Sequence, residues 1–473
     1  MMMQSIDSQM APASPARRMH QPRAAAGYPL VGHHSVTSPL AWRRDRAHSV
    51  HEFLCAAISL AAQLPRKHFA INLCRDRYHF AVGFAAALIA RQISLLPTCR
   101  AAEPLQQLAR QYPGAYVLTD HDEGDIPIPR FSLLREMEQG AGPIDVPVIP
   151  ADQIAAIAFT SGSSGFPQAH AKSWGSLVMG ARALGQQFGL TQSLPRVAVG
   201  TVPAQHMYGL ETTIMLPLQW GWSVHAGTSI LPADLRTDLE QLESPAWLMT
   251  TPFHLKAFLR ERTNLRGLEG IISATMPLDR AIALSAERLW HVPVHEIYGC
   301  TEGGMLASRR TTAGEAWTLC HDLRMRHAED TTWVMGGHVG AWLQLSDRIT
   351  LRSQREFLLL GPHRDLVKVA GKRASLTALN AILNRIPGVV DGTFYWPDPG
   401  QTGTGRLRAF VVAPGMTRAA ILAELRKRID PVFLPRPLYV VDQLPRNTTG
   451  KLPHEHLKTF ARHIMHPQQH VHE

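Results

Sequence analysis

The stretch Ile157-Ala-Phe-Thr-Ser-Gly-Ser-Ser-Gly-Phe-Pro-Gln-Ala-His-Ala-Lys-Ser-Trp174 is the one from which the rest of the chain is read. Residues 154–159 form an apolar run of the length of a short buried strand. It gives way abruptly to Thr160, Ser161, Gly162, Ser163, Ser164 and Gly165, a loop lined with hydroxyls. The two glycines let backbone N–H groups converge on an anion, and the hydroxyls add donors, so the loop suits the phosphates of a nucleotide. No Gly-Lys-Ser or Gly-Lys-Thr follows at the Walker spacing, so another phosphate chemistry is required. Taken alone, the loop reads equally well as a Ser/Gly surface turn.

A chain of 473 residues is expected to form more than one domain, because single cores stop growing near ~250–300 residues. The apolar stretch around residues 84–90 is broken by Arg91 and falls far short of the ~20 residues that span a bilayer, so no membrane span is expected. Residues 1–28 lack an apolar core segment and read as a disordered tail. Cys55, Cys74, Cys99, Cys300 and Cys320 are odd in number and have no CxxC spacing, which fits neither a disulfide framework nor a zinc site and suits a reducing cytoplasm. The formal charge is +10, and residues 362–473 carry most of it, with 16 Lys and Arg against 8 Asp and Glu. A basic C-terminal module suits a phosphorylated cofactor, an acidic carrier protein or a nucleic acid; no nucleic-acid motif accompanies it, and a basic solvated surface would look the same.

Upstream of the loop, strands and helices alternate: a helix over 51–64, a strand over 69–73, an Ala-rich helix over 78–91, a strand over 94–96, a helix over 104–111 and a strand over 115–119. This βαβ rhythm predicts a doubly wound α/β domain, whose ligands bind beyond the strand C-termini, where the loop after Phe159 lies. The alternation continues with a helix over 174–185 and strands over 196–201, 223–226 and 270–273, the last leading into Ser273, Ala274 and Thr275. Between Pro and Gly turns sits His206, followed by Tyr208 and Gly209; a lone histidine is more often an ordinary hydrogen-bonded residue than a pocket residue. Tyr298-Gly299-Cys300-Thr301-Glu302-Gly303-Gly304 offers an aromatic face for a base, a hydroxyl for a phosphate and a carboxylate able to hold Mg²⁺, or else is a Gly-rich turn. Asp347, between two β-like runs, can accept ribose hydroxyls or simply make a turn. A strand over 357–360 ends at Gly361-Pro362-His363-Arg364-Asp365, a natural domain break. The remainder reads as a small α+β domain that closes on Pro445-Arg-Asn-Thr-Thr-Gly-Lys451, with an exposed lysine on a mobile loop.

In this order, these motifs resemble the acyl-adenylate-forming superfamily, from about Arg46 to about Leu457. The resemblance implies a large multi-sheet α/β N-terminal domain, here 29–361, and a mobile α+β lid, 362–473, hinged near Asp365. It also implies ATP and Mg²⁺ and a two-step reaction through an acyl-AMP. The Thr160–Gly165 loop would hold the β- and γ-phosphates, Thr301 the α-phosphate and Glu302 the Mg²⁺. Tyr298 and Gly299 would face adenine, Asp347 and Arg364 the ribose and phosphates, and Lys451 would bridge carboxylate and α-phosphate. His206, Tyr208, Gly209, Ser273, Ala274 and Thr275 would form the acid pocket.

Two positions depart from the family pattern. Gln168 stands where the family has lysine, with Lys172 about one helical turn later as the nearest cation, and Pro362 stands where it has arginine, with Arg364 close by. The segment from Gly165 to Trp174, with the Pro-Ala-Gln-His-Met-Tyr-Gly-Leu that follows, looks like the short ligases of aryl-polyene and xanthomonadin-type pigment pathways. That narrower resemblance implies a small aromatic acid loaded onto an acyl carrier protein. An aryl- or fatty-acyl-CoA ligase is the neighbouring reading, and a non-catalytic nucleotide- or nucleic-acid-binding protein the reading from another class.

Overall fold

The structure, a computed structural model, describes residues 27–465 other than 44–45, 98, 123–125, 134–142, 161–167, 192–193, 229, 329–330, 363–365, 370–371, 398–405 and 448. It is a mixed α/β protein with a large multi-sheet N-terminal domain and a small C-terminal one. Of the expected tail, residues 1–26 lie outside the described residues. Residues 27 and 28 belong to the fold, because Tyr28–Pro29 pairs antiparallel with Val148–Ile149.

The predicted βαβ rhythm builds a six-stranded sheet in the order Gln168–Ser173, Ile154–Thr160, Ile93–Leu96, Phe69–Asn72, Tyr116–Thr119, Arg130–Ser132. All pairs are parallel except the first, which is an antiparallel hairpin. A second sheet of eleven strands carries a parallel core formed by Val294–Cys300, Leu268–Ser273, Ala246–Thr250, Val197–Gly200, Ser223–His225 and Pro39–Arg43. On one flank of that core the chain doubles back through Gly304–Arg310, Trp317–Leu319, Glu356–Pro362 and Asp347–Leu351, all antiparallel. Because Pro362 pairs with Asp347, the sheet runs one residue past the domain boundary expected at 361.

The Ala-rich helix Arg77–Ile89 joins the two sheets. It is apolar around most of its circumference, and such a helix is stable only when covered on all sides. Asp76 caps it by accepting the His79 N–H. Arg77, at its first turn, is 1% exposed and reaches across to the eleven-stranded sheet. Its guanidinium donates to the carbonyls of Gly200 at 2.7 Å, Val202 at 2.8 Å and Gly227. A buried cation survives here because three carbonyls solvate it, although desolvation still pulls its pKa down to about 10.

The small domain has its own core. Strands Asp391–Tyr395, Arg408–Val412 and Leu438–Val440 form one sheet, and helices Leu376–Asn384 and Arg418–Arg426 pack on it through Leu379, Leu383, Ile421 and Leu425. The amphipathic helix His454–Met465, unanticipated in the sequence reading, docks Leu457 and Ala461 on the same sheet. Thin polar contacts join the domains: Arg385 pairs with Asp279, and Lys256 donates to the Val390 carbonyl at 2.8 Å. No helix among the described residues is long and apolar enough to cross a membrane.

Replacing Arg77 with Met should take this donor from three carbonyls, two of them buried, and destabilise the protein by about 3 kcal/mol, read as a lower urea midpoint. An unchanged midpoint would show that the sheets are held by apolar packing alone.

Candidate active site

The antiparallel strands Val294–Cys300 and Gly304–Arg310 turn through Thr301, Glu302 and Gly303. The turn needs glycine on both sides: a Cβ on Gly299 would lie 2.3 Å from the Gly304 carbonyl oxygen, and Gly304 has φ +73°. The ladder shifts register between Tyr298 and Gly299, a bulge that re-aims the tyrosine. Tyr298 packs edge-on against Trp317 and Phe357, with ring centroids 5.9 Å from each, and its hydroxyl donates to Asp347 Oδ2 at 2.9 Å. Burial and the adjacent Asp347 carboxylate both raise the tyrosine pKa, so the phenol stays protonated and remains a donor. The expected base and ribose residues are thus one hydrogen-bonded unit.

Opposite this turn, the hairpin of Ile154–Thr160 and Gln168–Ser173 encloses residues 161–167. The expected phosphate residues Ser161, Gly162, Ser163, Ser164 and Gly165 lie outside the described residues, as do Arg364 and Asp365. Thr160 and Gln168 close the hairpin as a cross-strand pair. Lys172 does not follow Gln168 by a helical turn: both lie on one strand, about 13 Å apart at the ~3.3 Å rise of extended chain. Alternation puts residues 168, 170 and 172 on one face. Gln168 is exposed, whereas Lys172 is buried with its ammonium on the backbone carbonyl of Glu302. Between them, His170 Nε2 lies 3.1 Å from the Thr160 hydroxyl and 3.5 Å from Glu302 Oε1.

The expected acid-pocket residues divide by role. The buried Tyr208 hydroxyl is committed to the scaffold, donating to the Ile272 carbonyl at 2.8 Å and the Thr250 carbonyl at 3.2 Å, so only its ring is left to wall a pocket. Gly209 abuts the Pro203 carbonyl, where a Cβ would lie 2.0 Å away. Ser273 and Ala274 are buried at the end of a parallel strand, and Ser273 Oγ has no hydrogen-bond partner among the described residues. Thr275 takes φ +80° and donates its hydroxyl to the Thr449 carbonyl of the small domain at 3.3 Å.

That contact brings in the Lys451 segment, which is pinned where a mobile loop was expected. Asn447 Oδ1 accepts from the N–H groups of Thr449 and Lys451, and Arg446 makes a two-pronged pair with Asp391 while donating to the Gly450 carbonyl. Lys451 stays open to solvent at its side chain, yet crowding lowers its pKa while the Glu302 carboxylate raises it. His206 senses Lys451 in turn: desolvation and the neighbouring ammonium hold the imidazole down to about 4, so it is neutral at physiological pH. Lys451 thus lies within electrostatic reach of His206 and of Glu302, both on the large domain. Glu211, which the sequence reading did not single out, is 6% exposed, with its carboxyl pushed up to about 7 by desolvation.

A histidine whose folded pKa is depressed contributes stability that is full above its unfolded value near 6.5 and is lost as pH falls toward 4. His206→Gln should remove part of that acid-side loss, about 1–3 kcal/mol, in urea titrations between pH 6.5 and 4. An identical acid limb in both proteins would contradict this environment for His206.

Comparison with known proteins bears on the family and the fold. The family described as AMP-binding enzyme matches residues 63–344, and the AMP-binding enzyme C-terminal domain matches 379–451. A 4-coumarate–CoA ligase of Rhodobacter capsulatus is 30% identical over 281 residues, which span 57% of this chain and 66% of that protein. A 4-hydroxybenzoate–CoA/benzoate–CoA ligase of Rhodopseudomonas palustris is 25% identical over 381 residues, 70% of this chain and 68% of that protein. In fold, ATP-bound MatB from Rhodopseudomonas palustris superposes with a TM-score of 0.77 at 18% identity, covering 91% of this chain and 97% of that one. The chain belongs to the AMP-binding enzyme family of adenylate-forming acid–CoA ligases, which use ATP and Mg²⁺ and form thioester carbon–sulfur bonds.

Proposed function

We propose that this protein activates a small aromatic carboxylic acid, of the hydroxybenzoate or hydroxycinnamate kind, as its acyl-AMP and passes the acyl group to a thiol. The observation that carries the reading is the seam at which Thr275 of the large domain meets the Thr449 carbonyl, two residues before Lys451, so that the lysine's charge acts on the domain that bears Glu302 and the Tyr298–Asp347 unit. The named activities of the two ligases above support an aromatic acid. In the first step a carboxylate oxygen bonds to the α-phosphorus of ATP and pyrophosphate leaves. Both reactants are anionic, so cations and N–H donors matter more than acid–base groups. Lys451 would bridge the carboxylate and α-phosphate, Thr301 would touch that phosphate, the Tyr298 ring and Gly299 would line the adenine site, and Asp347 would hold the ribose. A neutral His206 would favour an uncharged aromatic ring over a second anion.

Mg²⁺ fits the residues present. It is commonly held by one or two carboxylates together with substrate phosphates, and the part-exposed Glu302 carboxylate supplies such a ligand. No cluster of three or more His, Cys, Asp or Glu side chains that could hold a metal alone occurs among the described residues. When bound, the ion would neutralise charge on the phosphates. In the second step the thiol sulfur bonds to the acyl carbon, AMP leaves and the thiol proton goes to solvent. Swinging of the small domain, 362–473, about Asp365 would withdraw Lys451 and open the thiol approach.

The preferred acceptor is the phosphopantetheine arm of an acidic carrier protein, as in ligases of pigment pathways; CoA is the second reading, favoured by the named relatives. Both are polyanionic. Arg406, Arg418, Arg426 and Arg436 frame a cavity of about 360 Å³ on the small domain, and none of the four pairs with a carboxylate among the described residues, which suits either acceptor. Pyrophosphate release across a panel of aromatic and aliphatic acids tests the substrate class, with aromatic acids expected to turn over and aliphatic ones not. Lys451→Ala should slow acyl-AMP formation at least ~100-fold while sparing transfer from a supplied acyl-adenylate. Equal losses in both half-reactions would contradict the assignment of Lys451 to the first step.

A further inference from the structure

Three side chains from three different elements grip the Glu302 turn from below. Lys172, on the strand Gln168–Ser173, donates to the Glu302 carbonyl. Glu211, on the π-helix Leu210–Met215, accepts the Met305 N–H at 3.2 Å. His338, in the short helix Gly337–Val339, donates from Nε2 to the Met305 carbonyl at 2.7 Å. The two ends of the turn are thus held by an ammonium and a carboxyl group, and Lys172 and Glu211 are each only 6% exposed.

The backbone leaves room for this carboxyl group. A Cβ on Gly304 would lie 2.2 Å from Glu211 Oε1, and a Cβ on Gly180 would lie 3.6 Å from the same oxygen and 3.7 Å from the His338 ring. The hollow under the turn is therefore filled by Glu211 itself. Burying a cation and a carboxyl group is expensive, and a well-packed apolar pair of similar volume would often be at least as stable. Their presence at this place is better explained by what they hold than by stability.

We propose that Glu211 and Lys172 are positioning residues that fix the Glu302 carboxylate for the Mg²⁺ of Mg·ATP. Neither touches substrate: Lys172 fixes the carbonyl of Glu302 itself, and Glu211 fixes the first residue after the paired glycines. The Glu302 side chain then starts from a Cα that cannot shift when phosphates arrive. Outer partners that hold a metal ligand in place typically change metal affinity by about 10–100-fold when removed. The inference rests on Glu302 as the Mg²⁺ ligand, but not on the identity of the acid or of the acceptor.

Calorimetric titration of the full chain with ATP, with and without Mg²⁺, and with metal-free AMP tests it. In the wild type Mg²⁺ should tighten ATP binding, and Glu302→Gln should abolish that gain. Glu211→Leu and Lys172→Met should each reduce the gain about tenfold and leave AMP affinity unchanged. Glu211→Gln, which keeps an acceptor for the Met305 N–H, should restore part of it. An undiminished Mg²⁺ gain in either variant, or a parallel loss of AMP affinity, would overturn the proposal, as would a wild type indifferent to Mg²⁺. If Glu211→Leu does not fold, Lys172→Met decides by the same two readings. Failure of every aromatic acid in the pyrophosphate assay would refute the substrate reading alone and leave these binding results intact.

Discussion

The proposed site depends on the delivery of one ammonium group to the place where two anionic reactants would meet. Lys451 is carried by the small domain, whereas Glu302 and His206, with which its charge interacts, belong to the large one, so its placement is a property of how the domains close. Among the described residues, the hydrogen bonds and ion pair that join the domains are few and local. Thr275 meets the Thr449 carbonyl, and a Cβ on Gly450 would lie 2.8 Å from Phe253 Cβ, which is why a glycine passes there. The Lys451 turn is held within its own domain through Asn447 and Arg446, while hydrogen bonds and one ion pair join the domains. A lysine so held on a separable body suits a group needed in one half of a reaction and in the way during the other.

The large domain supplies the complementary rigidity. Helix Arg77–Ile89 locks the two sheets, with Arg77 satisfying carbonyls at Gly200 and Val202, next to the segment that leads to His206. The bulge at Tyr298 and the tight glycine turn after it then fix the direction of Glu302, while Asp347 is tied to Tyr298 across the antiparallel flank. Anion neutralisation in a partly desolvated site works best when such groups are already in place, since nothing has to reorganise as charge develops.

Much of this was legible in the sequence. The alternation of apolar strands and Ala-rich helices gives the doubly wound arrangement because each period is strong and local, whereas Tyr298–Glu302, His206–Gly209, Asp347 and Lys451 each read alone as ordinary turns or loop residues and stand out only through their order, on which the family resemblance rests. The rest depends on tertiary pairing. Gln-Ala-His-Ala-Lys-Ser has no β-branched residue and becomes a strand only because Ile154–Thr160 lies beside it, so a spacing of four misreads Lys172, whereas a spacing of two pairs it with His170. Glu211 gave no signal, because glutamates are rarely buried and a π-helix has no pattern of its own. The Lys451 turn looked mobile because its composition is that of a loop; the contacts that hold it, above all Arg446 with Asp391, join residues far apart in the chain.

With Thr275 against Thr449, the two domains stand in the arrangement that would make acyl-AMP under the proposed function, and not in the one that would transfer it. A reversible cross-link between cysteines placed at these two positions would hold the domains in the first of these. In a single-turnover assay with an aromatic acid and Mg·ATP, the locked protein should release about one equivalent of pyrophosphate and form no thioester until the link is reduced. Thioester formation at the unlocked rate, or no acid-dependent pyrophosphate from the locked protein, would contradict the account.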